Sequence, residues 1–362
     1  MHNQQESALD QEHLNNNRHE TQEMIVTIKP ESIRIGMQEL KDIDSKMKIV
    51  EWLDDGIAVV HVQSSFQHIA THFMKKPPIF IQHICPVNEK VKTTNSREDL
   101  VQIAELIIEK KLYREKPSTF SVQTRFSDDV QVDYKKFEMN QAISEKCIAQ
   151  GLELDVKKPE QIISVFVASS RMYIGSSLSV ENVSDWAGGK RRFAMEKGQV
   201  SRAQFKLLEV LEMYDLVLPE GGEGLDLGAA PGGWTNVLIH KGMNVTAVDP
   251  ALLHPSIKKH AQVRYVKETA QTFFKQTQSK PYDIIVNDMR IDTYESVDIM
   301  MEAYDVLKYG GFIVFTLKMP KRNMMKRLKY ALHLLQRKYD IVGVKQLFHN
   351  RSEVTVVLVK SH

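Results

Sequence analysis

The sequence predicts an α/β protein whose C-terminal part is a parallel sheet with helices on both faces, preceded by two smaller α/β modules. Three observations carry this. From Glu223 onward, short apolar runs alternate strictly with helical stretches, which is the pattern of a covered parallel sheet. Ahead of them, the first module reads β-α-β-β-α-β, and the second mixes helices with alternating strands. Finally, 362 residues with 42% hydrophobic and 26% charged side chains supply enough apolar surface for several cores, which excludes one small domain.

The elements follow in chain order. Residues 1–22, "MHNQQESALDQEHLNNNRHETQ", are polar and are expected to be a disordered tail. They lack the basic start and apolar middle of a signal peptide, and no apolar run in the chain approaches the roughly 18 residues of a membrane span. A cytoplasmic protein with no membrane partner is therefore expected. "MIVTIKP" reads as a strand, "ESIRIGMQELKDI" as a helix, and "KMKIVEWL" and "IAVVHVQ" as strands joined by the turn residues Asp54, Asp55 and Gly56. "SFQHIATHFMKK" is helical and "IFIQHIC" extended, so residues 23–87 are predicted to form a ferredoxin-like α+β domain.

Residues 88–180 begin with the amphipathic helix "REDLVQIAELIIEKKLY", then the strand "TFSVQTRF", a helix around "MNQAISEKCIAQG" closed by Gly151, and strands "QIISVFVAS" and "RMYIGSSLS". With its "TFSVQTRF" strand, its D-x-x-x-P spacing in "ELDVKKPEQ" and its closing "YIG", this segment resembles a THUMP domain. The resemblance implies an RNA-binding module of the kind found in RNA-modifying enzymes. Residues 181–200 read as a basic linker.

In residues 201–362 the helix "SRAQFKLLEVL" is followed by strands "EGLDLG", "NVTAVDP", "VRYVKE", "YDIIVND" and "GFIVFTLK", with helices "GGWTNVLIHKG" and "SVDIMMEAYDVLKYG" among them and the long helix "KRNMMKRLKYALHLLQRKY" after them. "DIVGVKQLF" and "EVTVVLVK" close the chain. The link "HNRS" is too short for a crossover, so the last strand must run antiparallel to the one before. A seven-stranded sheet ending this way resembles the methyltransferase variant of the Rossmann-like fold.

Ligands of such sheets bind beyond the carboxyl ends of the strands, where the first strand delivers "LDLGAAPGGW". A dinucleotide fingerprint needs G-x-G-x-x-G and a phosphate loop needs G-K-[ST]; Gly228, Gly232 and Gly233 with Pro231 between them fit neither. S-adenosylmethionine fits better, because it has an amino group, ribose hydroxyls and a sulfonium but no phosphate. Asp226 is expected to meet the amino group or the cation, Gly228 and Ala229 to let backbone approach, and Asp249 to hold the ribose. Taken alone, each aspartate is as readily a turn cap.

The same loop, Asp226 with Gly228, Ala229, Pro231, Gly232, Gly233 and Trp234, resembles almost letter for letter the S-adenosylmethionine loop of FtsJ-type ribose 2′-O-methyltransferases. That resemblance implies a Lys-Asp-Lys-Glu tetrad, and the matching positions here are Lys206, Asp288, Lys318 and Glu353. Asp288 is also expected at the cofactor. The placement is consistent without the family. Asp288 and Lys318 end parallel strands, and an antiparallel last strand starts at that same edge with Glu353. A ribose hydroxyl must lose its proton as it is methylated, so a base is required. A second ammonium and partial burial favour neutral lysine, which makes Lys318 the expected base, with Lys206 the alternative.

"GMNVTAVDP", "FTLKMP" and "KQLFHNRSEVTV" resemble more closely the ribosomal RNA large subunit methyltransferase M family, which joins ferredoxin-like and THUMP domains to the catalytic one and methylates a cytidine of large-subunit ribosomal RNA. One departure is "VKETA", where relatives have an aspartate near the adenine, so Thr269 or Glu268 is expected to contact the base. Another is "MRIDTYES", expected to border the nucleotide pocket.

Charge distribution supports an RNA partner, although a net charge of only +2 does not announce one; that this RNA is ribosomal rather than transfer RNA is what the family resemblance implies. Six basic residues against one acid fill positions 188–206, and six with no acid fill 317–330. From these runs, Lys190, Arg191, Arg192, Arg202, Lys321 and Arg322 are expected to contact RNA, although such runs are more often simply solvated faces. Cys85 and Cys147 form no CxxC, and "HIATH" (His68 and His72) lacks the glutamate and third ligand of a zinc site, so no disulfide and no metal are expected. The competing readings are a 2′-O-methyltransferase of transfer RNA, a base or small-molecule methyltransferase, and an RNA-binding protein with a vestigial site. The Asn/Asp-Pro-Pro-Tyr type motif usual for base methylation is absent.

Overall fold

A computed structural model describes residues 21–116, 119–193, 200–276, 281–320 and 323–361. The first 20 residues of the expected tail lie outside them. The chain divides into two compact units, Met1–Lys190 and Arg191–His362.

The first unit contains two sheets. β1 (Glu23–Ile28), α1 (Ile33–Ile43), β2 (Lys48–Asp54), β3 (Ile57–His61), α2 (Phe66–Lys75) and β4 (Ile81–Pro86) give an antiparallel sheet in the order β2-β3-β1-β4. α1 buries Gly36, Met37 and Leu40 and α2 buries Phe66, Ile69, Ala70 and Phe73, an i, i+3, i+4 stripe on each. Next come β5 (Glu89–Lys92), α3 (Glu98–Glu109), β6 (Thr119–Phe126), α4 (Lys136–Ala149), β7 (Glu153–Leu154), β8 (Gln161–Val167) and β9 (Arg171–Leu178). They form a mixed sheet in the order β5-β9-β8-β6-β7.

The short strands β5 and β7 carry no periodic signal of their own and exist only because a neighbouring strand pairs with them. Ile25, Val59, Cys85 and Val87 from the first sheet share a core with Phe166 and Tyr173 from the second, so the two modules pack as one body.

The second unit starts with α5 (Gln204–Met213) and continues through β10 (Glu223–Leu227), α6 (Gly233–His240), β11 (Asn244–Val248), α7 (Pro255–Lys258), β12 (Val263–Val266), α8 (Ala270–Gln276), β13 (Tyr282–Asn287), α9 (Thr293–Ala303), β14 (Leu307–Lys318), α10 (Met324–Leu335), β15 (Asp340–Lys345) and β16 (Glu353–Val359). The seven strands lie in the order β12-β11-β10-β13-β14-β16-β15, with β16 antiparallel to both neighbours. Ligand space therefore opens beyond the ends of β10 and β13, where the strand order reverses. The sequence expects a helix through Gly310, but α9 stops at Ala303. Gly310 takes φ +74° and donates its N–H to the Lys360 carbonyl, which draws the segment into β14.

Two glycines fix the β10–α6 turn. Gly228 has φ +72°, and a Cβ there would lie 2.2 Å from Met289 Cγ. Gly232 has φ +116°, and its Cβ would strike Ile257. Any larger residue would force apart the segments that frame the site.

Candidate active site

The tetrad residues arrive from four separate elements. α5 presents Lys206, β13 ends just before Asp288, and the β14–β16 register pairs Lys318 directly with Glu353. Lys206 Nζ lies 3.0 and 3.1 Å from the two Asp288 oxygens and 2.7 Å from Glu353 Oε1. Lys318 Nζ sits farther out, 3.7 Å from Asp288 and 3.6 Å from Glu353. All four are largely shielded, with side-chain exposures of 12% for Lys206, 18% for Asp288, 26% for Lys318 and 6% for Glu353.

Thr316, two residues before Lys318 and so on the same strand face, donates to Asp288 Oδ1 at 2.8 Å. This orienting hydroxyl was missed in the sequence, although the period of two would have pointed to it.

The electrostatics separate the two lysines. Burial lowers Lys318 below the ordinary lysine value; the charges of Lys206 and Arg290 push the same way, against Asp288 and Glu353. Burial also opposes ionisation of Glu353, yet the Lys206 hydrogen bond and both ammonium charges hold its carboxyl below the usual value. Lys206 is thus clamped between two carboxylates, while Lys318 is held loosely and its own proton affinity is lowered.

Two cavities meet at Asp288. One of about 460 Å³ is lined by Gly228, Asp249, Glu268, Thr269, Asp288 and the segment Met289 to Ile291, among others. Its size suits a nucleoside-sized ligand. Both Asp249 oxygens accept backbone N–H groups, from Ala230 at 2.9 Å and Ala251 at 2.7 Å, which fixes the carboxylate on the cavity wall. Thr269 bonds the Thr272 hydroxyl and backbone N–H, so it also caps α8.

The other cofactor candidates lie off this wall. Asp226 is 2% exposed, takes the Thr235 hydroxyl at 2.6 Å, and is pushed up to about 7 by burial, with Asp288 and Asp249 adding to the shift. Its carboxylate is spent beneath the loop. Trp234 is buried and donates its indole N–H to the Ala203 carbonyl, tying the loop to the start of α5. Ala229 packs in the same core, Gly232 and Gly233 open α6, and Pro231 follows a cis peptide bond.

The second cavity, about 860 Å³, is a wider cleft that shares Asp288, Arg290 and Ile291 with the first. Its walls hold Lys206, Lys318 and Glu353, the cations Arg202 and Arg351, and the rings of Phe205, Phe348 and His349. Of the expected RNA contacts, Arg202 lines this cleft and Arg192 is exposed, as is Lys190 in the first unit. Arg191 is instead ion-paired with Glu212 and stacked on Phe193, so part of the expected linker is packed onto α5 rather than presented to solvent. Lys321 and Arg322 lie outside the described residues. Among the described residues, no group of three or more His, Cys, Asp or Glu is placed to hold a metal, and no helix is long and apolar enough to cross a membrane.

Residues 199–348 match the family model described as FtsJ-like methyltransferase. This part of the chain is an FtsJ-like methyltransferase domain. The matched segment contains Lys206, Asp288 and Lys318 and stops just short of Glu353.

Three curated relatives bear the name ribosomal RNA large subunit methyltransferase M. That of Xylella fastidiosa (strain 9a5c) is 30% identical over 53% of this chain and 56% of its own length. That of Thauera aminoaromatica is 30% identical over 48% and 50%, and that of Hahella chejuensis (strain KCTC 2396) 32% over 54% and 53%. The chain spans about half the length of these relatives.

Proposed function

We propose that the protein methylates a ribose 2′-hydroxyl of RNA, using S-adenosylmethionine, and that the target is a cytidine of large-subunit ribosomal RNA. The observation that carries this reading is the junction itself: two lysines and two carboxylates sit where a nucleoside-sized cavity opens into a larger cationic cleft. The FtsJ-like match and the relatives' names support it. By the same reading, residues 23–87 act as a ferredoxin-like domain and residues 88–180 as a THUMP domain that grips RNA, in the cytoplasm where ribosomal RNA is found.

The cavity residues fit the cofactor. Asp249 stands ready for ribose hydroxyls, Glu268 and Thr269 for the adenine, and Gly228, with no room for a Cβ beside Met289, lets backbone form part of the wall. S-adenosylmethionine bound there would supply an electrophilic methyl group on a sulfonium, with the neutral thioether as its leaving group.

The protein's own residues prepare that oxygen. Lys318, its proton affinity lowered by burial and by Lys206, accepts the 2′-hydroxyl proton at Nζ. Lys206, fixed in place by Asp288 and Glu353, stands beside the developing alkoxide as a donor. Thr316 holds Asp288 in place for both.

Labelled S-adenosylmethionine and total RNA, followed by digestion to nucleosides, test this. Wild-type protein should label ribose in large-subunit RNA, and Lys318→Ala should cut the rate by roughly a hundredfold or more. Label in a base, label confined to transfer RNA, or equal label from the variant would overturn the proposal or its target.

A further inference from the structure

One wall of the cationic cleft is aromatic, and nothing in the tetrad chemistry explains it. Phe205, Phe348 and His349 line the cleft together with Lys206 and Glu353. The rings form one packed group: Phe205 and His349 have centroids 5.1 Å apart, and Phe348 meets His349 edge-on at 4.9 Å. Behind them Phe193 lies parallel to Phe205 at 5.7 Å and touches His349 at 5.6 Å. The backbone that carries the front rings is anchored as well. Buried Glu209 accepts the N–H groups of Phe348 and His349 at 2.8 and 3.1 Å.

A rigid ring cluster on the wall of a polar, cationic cleft is suited to one ligand feature, a flat π-face attached to an anionic chain. We infer that this wall stacks the nucleobase of the nucleotide being methylated, or its immediate neighbour, while Arg202 and Arg351 on the same walls hold adjoining phosphates. The inference rests on the RNA ribose reading above.

Phe205 precedes Lys206, and His349 lies four residues before Glu353, so a base lodged on the rings brings its own ribose to the tetrad. Stacking tolerates any base. The wall therefore positions the substrate without identifying it, and Phe348 and His349 are positioning residues.

The test uses the full chain with ribosomal RNA. Glu209 holds main-chain groups, so Phe348→Ala and His349→Ala remove rings while leaving the anchor intact. Each should raise KM for RNA roughly tenfold, leave kcat within about twofold, and leave calorimetric S-adenosylmethionine binding unchanged; the last also shows that the variant is folded. His349→Phe should restore KM, because it replaces one aromatic face with another. Unchanged KM in both alanine variants, or a fall in kcat alone, overturns the stacking wall while ribose labelling by the wild type leaves the parent reading standing. Absence of ribose label from the wild type overturns that reading and this inference together.

Discussion

The two cavities that meet at Asp288 share Arg290 and Ile291 but differ in the charge of their remaining walls. Among the described lining residues, the smaller carries the carboxylates of Asp249, Glu268, Asp288 and Glu295 against the single cation Arg290. The larger carries Arg202, Lys206, Arg290, Lys318 and Arg351 against Asp288 and Glu353. A wall of acids suits a ligand rich in hydroxyl and amino donors and bearing positive charge, and a wall of cations suits a polyanion. On the proposed function the two ligands are divided between these walls, and the place where the cavities meet belongs to Asp288, Arg290 and Ile291.

The sharpest attempt to break this division is Lys206→Ala. It strips the clamp from two shielded carboxylates and frees them to draw on Lys318, so kcat should fall roughly 10²- to 10⁴-fold. The ascending limb of kcat against pH should also move to higher pH, because losing a neighbouring ammonium raises Lys318. Calorimetry should find cofactor affinity unaltered; a matching loss there would mean that the cavities are not separate.

Asp249→Ala tests the other side. Removing a carboxylate that anchors two backbone N–H groups and faces the smaller cavity should weaken S-adenosylmethionine roughly ten- to a hundredfold. KM for RNA should stay put, and equal weakening of both ligands would contradict the division.

Asp226→Asn, beneath both cavities, should have the smallest effect. Its folded value near 7 lies above the ordinary 3.8, so its stabilising contribution is full below about pH 4 and is lost as pH rises through 7. The variant escapes this loss. Thermal melts should show it gaining on the wild type between pH 5 and pH 8, by roughly 5–10 °C. A constant gap across that range would mean that Asp226 does not titrate there.

Much of the site was legible before folding because it depends on period and topology. The alternation after Glu223 and the short "HNRS" link oblige Asp288, Lys318 and Glu353 to finish or begin strands at one sheet edge, and the β14–β16 register places the last two side by side. Less legible was the wall of Phe205, Phe348, His349 and Arg351: the last three stand in "KQLFHNRSEVTV", yet they join Phe205 only when α5 meets the β15–β16 link. Arg191 was only partly legible for a related reason. Its charge was visible, but its partner Glu212 lies 21 residues away on a helix.

The sequence by itself thus determined the strand order's consequences: at which sheet edge cavities open, which loop stands there and which four charges converge, since hydrophobic period and loop length dictate where strand ends fall. Only tertiary structure decided how those charges divide their work. Lys206 lies within 3.1 Å of both carboxylates and Lys318 stands beyond 3.5 Å. That difference in distance, which separates a lysine clamped by both carboxylates from one held loosely beside them, comes from packing between elements far apart in the chain.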